Sequence, residues 1–146
     1  MVVIDATACT LVTGGTGVVG QAVVRRLLAA GRRVCLTYGA NSTVVEKLVA
    51  EAPGLVAVRA DLRSLDIGSL LDKVVDRAGP VEALVHAAAL VDHTPVASLE
   101  AEHFAEVLTV NVTAAFALAR GLAKRGALRD VVLLSSIAAS IADLGS

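Results

Sequence analysis

The residues most able to do chemistry come early, in the run Thr13-Gly14-Gly15-Thr16-Gly17-Val18-Val19-Gly20. Glycines at this spacing allow a tight turn, close approach of a pyrophosphate to the backbone, and close packing of the following helix on the preceding strand. The flanks agree: Cys9-Thr10-Leu11-Val12 reads as a buried strand and Gln21-Ala22-Val23-Val24-Arg25-Arg26-Leu27-Leu28 as an apolar helix. A helix in that place presents unpaired N–H groups and the positive end of its dipole to an anion. Thr13, Gly14, Thr16, Gly17, Val18 and Gly20 are therefore candidate contacts for a dinucleotide. The plainer reading is a strand–helix connection without a ligand, which strand–turn–helix context disfavours.

Other polar residues sit where apolar runs end. Asp61-Leu62 follows a third apolar run, and an aspartate there commonly caps a turn. Asn111 lies between Val110, Val112 and Ala114, so a buried polar role with partners is expected rather than a solvated one. Ser135 and Ser136 follow a last apolar run, and a hydroxyl there can donate to a substrate oxygen or simply finish the strand. After the second strand comes Tyr38-Gly39-Ala40-Asn41, with no acid until Glu46. An NAD site wants a carboxylate at that point for the ribose hydroxyls, so NADP is favoured over NAD. Ser42, Thr43 and the start of the adjacent helix could hold a 2′-phosphate, whereas Arg32 and Arg33 sit at the wrong end of the strand. No metal is expected, because His86, His93 and His103 lack ligand spacing and have no cysteine nearby.

The elements that must position these residues alternate. Strands are expected at Cys9–Val12, Arg33–Thr37, Leu55–Ala60, Ala83–His86 and Val131–Leu134. Helices are expected at 21–28, at Val44–Ala52 started by Ser42 or Thr43, at Leu65–Arg77 ended by Gly79-Pro80, and from a Ser98 cap to about Lys124. Strands that are continuously apolar imply burial on both faces, hence a parallel sheet with helices on each side. The expected fold is a doubly wound α/β domain spanning residues 1–146, of the dinucleotide-binding Rossmann type.

Composition narrows the function. The 146 residues carry a net charge of −1, one Tyr, two Phe and no Trp, which argues against a polyanion partner or a base-stacking platform. The apolar stretch 107–119 is too short to span a bilayer, and the N-terminal residues around Asp5 do not resemble a signal peptide, so no membrane association and a cytoplasmic location are expected. Cys9 and Cys35 fall in strands and read as buried small apolar residues.

Taken together, the glycine turn, Asp61-Leu62, His86-Ala87-Ala88-Ala89, Asn111-Val112-Thr113 and Ser135-Ser136 resemble, in order, the marks of the short-chain dehydrogenase/reductase family. The resemblance covers the chain from Cys9 onward and is nearest to 3-oxoacyl-carrier-protein reductases and polyketide ketoreductase domains. It implies hydride transfer between a nicotinamide and a carbonyl or alcohol, on a small-molecule or acyl-thioester substrate. It further implies that Ser136 binds the substrate oxygen, that Asn111 holds a water of the proton relay, and that Asp61 with Leu62 meets the adenine. Ala87, Ala88 and Ala89 would pass the nicotinamide ribose, with Ala89 standing where many members have glycine. His86, which departs from the Asn of many members, would be a structural histidine lining the pocket wall. The family's Tyr-x-x-x-Lys would fall roughly a dozen residues beyond Ser136, and the sequence has no such pair: its single tyrosine, Tyr38, is followed four positions later by Ser42. A chain truncated after its fifth strand is therefore expected, inactive as a reductase on its own. It would expose the 107–122 helix face and the last strand, with a homo-oligomer through the 99–124 helix as the family habit. A non-catalytic dinucleotide-binding module or partner subunit is the second reading, and a nucleotide-sugar epimerase or dehydratase relative the third.

Overall fold

The first strand fixes the architecture by alternation. In β1 (Cys9–Thr13) every residue is buried, and successive side chains enter two different cores. Cys9 and Leu11 join one cluster and Val12 the other. The same split recurs in β2 (Arg33–Tyr38), where Cys35 faces one way and Val34 and Leu36 the other. A strand buried on both sides needs helices on both sides, and that is the arrangement found. The computed structural model describes residues 8–64 and 66–136.

The sheet has five strands in the order β3-β2-β1-β4-β5, all pairs parallel, with β3 at Val56–Arg59, β4 at Val81–His86 and β5 at Asp130–Leu133. Helices α1 (Val18–Ala29) and α2 (Ser42–Glu51) cover one face through Val24 and Leu48. Helix α3 (Ile67–Ala78) covers the other with Ile67, Leu70, Leu71, Val74 and Ala78, a helical stripe, beside Ala114, Leu118 and Leu122 of α5 (Ala114–Lys124). The doubly wound parallel fold read from the sequence is the observed one.

Several local expectations are corrected. Helix α1 begins at Val18, three residues before Gln21, because the turn closes earlier: Gly17 N–H donates to Gly14 O at 3.0 Å and Gln21 N–H to Gly17 O at 2.8 Å. Neither Ser42 nor Thr43 caps α2; Asn41 does, accepting from Val44 N–H at 3.4 Å. Asp66 caps α3 by accepting from Ser69 N–H, so the helix starts at Ile67; Leu65, its expected first residue, lies outside the described residues. Ser98 caps nothing: it ends a short 3-10 turn at Val96–Ser98, and α4 (Ala101–Leu108) begins after Glu100, which makes no side-chain cap bond. The expected single long helix is interrupted by a π turn at Thr109–Thr113 that joins α4 to α5.

The continuous run Ala101–Lys124 is 24 residues long with mean hydropathy 1.2, so by length and composition alone it could cross a membrane, unlike the shorter stretch 107–119 weighed from the sequence. Its buried side packs on α3 and the sheet. Its other side leaves Phe104, Leu108, Val112 and Phe116 exposed, Phe116 by 66 %. The last strand is also exposed, from Val131 to Leu134.

Candidate functional site

The chain runs outward from β1 to β2 and β3, then returns to place β4 on the other side of β1. Connections leaving β1 and β4 therefore diverge, and a crevice opens at the carboxyl ends of these two strands, the usual ligand position in open parallel sheets. A cavity of about 430 Å³ lies there. Of the residues expected at a dinucleotide site, Gly14, Gly17, Tyr38, Asp61, Leu62, Ala87, Ala88 and Ala89 line it.

Gly14 and Gly20 are required by shape. Gly14 has φ +63°, and a Cβ there would lie 2.6 Å from Ala88 Cα. A Cβ on Gly20 would lie 2.1 Å from Gly14 O, so this residue lets α1 press onto the turn rather than touching a ligand itself. With no side-chain cap on α1, the N–H groups of its first turn are left for solvent or an anion. Thr16 supports the turn through its carbonyl, which accepts from Gln21 Nε2 at 2.9 Å, while Val18 is 87 % exposed at the helix tip.

Behind the cavity wall runs a buried polar chain. Val110 O can only accept, so His86 Nε2, 3.2 Å away, carries the proton. His86 Nδ1 must then accept from the Thr13 hydroxyl at 2.9 Å, and Thr13 Oγ1 in turn accepts from Ala88 N–H at 3.3 Å. Burial pushes the imidazole below its usual range, with the Val110 bond opposing in part. His86 and Thr13 are thus structural: they tie β1, β4 and the π turn together and set the path of Ala87–Ala88. Neither lines the cavity, which corrects the expectation that His86 would form its wall.

Asn111 sits at the centre of the π turn and clamps the strand four exit: Nδ2 donates to Leu90 O at 2.9 Å and Oδ1 accepts from Leu90 N–H at 2.8 Å. Both ends of its amide are committed to the backbone, so the partners expected from its apolar neighbourhood are the two main-chain groups of Leu90. Asp61 does make the turn foreseen for it. Its Oδ1 accepts from Arg63 N–H at 3.0 Å, and Arg63 Nη2 meets Oδ2 at 2.7 Å, which holds the carboxyl at about 2. Ser42 is exposed on the first turn of α2 and Ser136 is exposed after β5; neither is among the cavity residues.

The sequence reading missed Thr37, Gly39, Ala40, Arg59, Ala60, Arg63, Leu90 and Val110, which complete the lining. The pattern Arg59-Ala60-Asp61-Leu62-Arg63 put two cations around Asp61, and this was the available signal for two of them. Cys9 and Cys35 are buried free thiols, pushed up to about 11 and about 12 chiefly by burial, and take no part in the site. Among the described residues no group of three or more His, Cys, Asp or Glu side chains is placed to hold a metal ion.

Comparison with known proteins agrees with this geometry. The profile of the family described as short chain dehydrogenase matches residues 8–143. The chain is 37 % identical to the polyketide synthase GfsA of Streptomyces halstedii over 151 aligned positions, 93 % of this chain and 2 % of that one. It is 30 % identical to the 3-oxoacyl-[acyl-carrier-protein] reductase MabA of Mycobacterium tuberculosis, over 89 % of this chain and 51 % of that one. Among solved structures, FolM alternative dihydrofolate reductase 1 from Brucella canis, complexed with NADP, superposes with a TM-score of 0.72 at 26 % identity, covering 82 % of this chain and 50 % of that one. The chain spans about half the length of the curated relatives first matched.

Proposed function

The chain belongs to the short-chain dehydrogenase family, and on that premise we propose that it is the cofactor-holding portion of an NADP-dependent carbonyl reductase of the 3-oxoacyl or ketoreductase kind. The observation that carries the reading is the cavity at the β1/β4 crevice, lined together by Gly14, Gly17, Asp61, Leu62 and Ala87–Ala89. The cavity suits a dinucleotide: Gly14, Gly17 and Ala87–Ala89 bring backbone to its wall, and the first turn of α1 has N–H groups to offer.

In this reading Gly14, Thr16, Gly17 and Val18 hold the pyrophosphate with backbone groups, Gly20 lets α1 lie close, and Thr13 fixes the turn through Ala88. Tyr38 and Ser42 flank the adenosine ribose, while Asp61 and Leu62 flank the adenine, Asp61 already turned toward Arg63. Ala87, Ala88 and Ala89 pass the nicotinamide ribose. NADPH, when bound, supplies the hydride. Ser136 donates a hydrogen bond to the substrate oxygen, and Asn111 keeps the exit of β4 in place beside it. NADP is preferred to NAD because no carboxylate follows β2 before Glu46. The substrate is a ketone, free or as an acyl thioester, and the protein works in the cytoplasm without nucleic acid or membrane.

The 146 residues contain no Tyr-x-x-x-Lys, so the chain by itself is expected to bind NADPH without oxidising it in the presence of acetoacetyl thioesters. Fluorescence titration followed by an absorbance assay checks both parts. Turnover with a simple ketone overturns the expected inactivity; failure to bind either dinucleotide overturns the reading itself. The exposed stripe Phe104, Leu108, Val112 and Phe116 favours a second reading, a non-catalytic dinucleotide-binding subunit that docks on a second copy or a fuller homologue.

A further inference from the structure

Two guanidinium groups stand at the end of the cavity formed by the exits of β2 and β3, and they differ in what they already hold. Arg63 is committed, its Nε and Nη2 forking onto the two carboxylate oxygens of Asp61 at 2.9 and 2.7 Å. Arg59 is the last residue of β3, in register with Tyr38 at the end of β2. Its Nε donates to Gly39 O at 3.2 Å, and among the described residues no carboxylate forms an ion pair with it. That bond uses one N–H of the fork, ties the head to the loop after β2, and leaves the Nη edge for another acceptor.

The loop after β2 is where the adenosine ribose is read in folds of this class. Here it contains no acid, and Tyr38, Gly39, Ala40 and Arg59 line the cavity together. A planar, permanently charged fork held at that point suits a phosphate and gains nothing comparable from a bare hydroxyl. Among the described residues Arg59 and Arg63 are the only cations lining the cavity, and Arg63 is already paired with Asp61; Arg32 is paired with Glu82, and Arg33 begins β2 at the opposite end of the sheet.

We infer that Arg59, reaching from the end of β3, is the residue that selects the 2′-phosphorylated cofactor by pairing with its 2′-phosphate. The inference rests on the dinucleotide reading above and adds the group that sets the choice between NADP and NAD.

The test is calorimetric binding of NADPH, NADH, 2′,5′-ADP and 5′-AMP to the full chain, its Arg59→Met variant and its Arg59→Lys variant. Arg59→Met is expected to weaken NADPH and 2′,5′-ADP by about tenfold or more, while NADH and 5′-AMP change by less than about twofold. Arg59→Lys should recover part of the loss, since it keeps the charge without the fork. Equal weakening of all four probes would make Arg59 only a latch on the Gly39 loop and overturn the inference. A wild-type preference for NADPH that survives in Arg59→Met would also overturn it, with the dinucleotide reading left standing. If the wild type binds none of the four, the failure lies in that reading instead. Should Arg59→Met not fold, Arg59→Gln takes its place in the same four-probe comparison, with the same outcomes overturning the inference.

Discussion

At the scale of single residues, the Thr13–His86–Val110 chain has one protonation state that satisfies every group. Val110 O demands a proton on His86 Nε2, and Nδ1 accepts from Thr13. Protonating Nδ1 would take away the acceptor of the Thr13 hydroxyl proton and place a charge among buried neighbours. The folded pKa lies below the ordinary 6.5, so below that pH the unfolded chain binds more protons than the folded one. Stability contributed by His86 is complete above about pH 6.5 and declines as pH falls from there toward the folded value, at most about 1.4 kcal/mol per unit. Urea denaturation at pH 7.5, 6.0 and 5.0 should show this slope, and His86→Gln should remove it. The sequence could mark His86 as structural because no metal spacing accompanied it, but its partners are 73 and 24 residues away and were beyond any local pattern. Arg59 escaped for a related reason: which residue of β3 stands beside Tyr38 depends on strand register, and register is a property of the folded sheet.

At the scale of elements, the long helix is the instructive case. Its apolar spacing and its extent to Lys124 were readable, yet the π turn at its middle was not. A π turn shifts the bonding by one residue and so re-aims the side chains on either side of it. Here it delivers Asn111 to Leu90 and Val110 O to His86, two contacts that hold the exit of β4. An asparagine among apolar residues was the visible trace of this, though a helical wheel drawn without the inserted residue would put it on the wrong bearing. Asn111→Ala leaves the Leu90 N–H and C=O without their partner, and a loss of about 2–4 kcal/mol is expected from two such groups. Chemical denaturation measures the total, and faster hydrogen exchange at the Leu90 amide locates it. A loss well under about 1 kcal/mol would mean that water replaces the clamp. The caps were the least legible: Asn41 starts α2 in place of the Ser42 or Thr43 expected there, and Asp66 starts α3, for which no cap was expected.

At the scale of the whole molecule, the five-stranded parallel sheet was legible almost in full, because continuously apolar strands separated by helical stretches leave few other topologies. The apolar surface at one flank was legible too, in kind if not in detail. Phe104, Leu108, Val112 and Phe116 form an exposed row on α4, the π turn and α5, while Val131–Leu134 leave an exposed edge. Such a row favours self-association. The light-scattering mass of the chain is expected to rise with concentration, and Phe104→Glu with Phe116→Glu should hold it at the monomer value; a monomeric wild type at high concentration would show the row to be inert. The sheet order has one more consequence, in the time domain. β1 lies between β2, which follows it closely, and β4, whose His86 comes 73 residues after Thr13. At synthesis rates of roughly 5–20 residues per second, β1 waits roughly 4–15 seconds for its second neighbour after leaving the ribosome. For that interval the crevice has one wall, and the glycine turn lacks the Ala88 backbone it packs against. On the proposed function, loading with the dinucleotide would therefore wait for the emergence of β4, long after the glycine turn has been made.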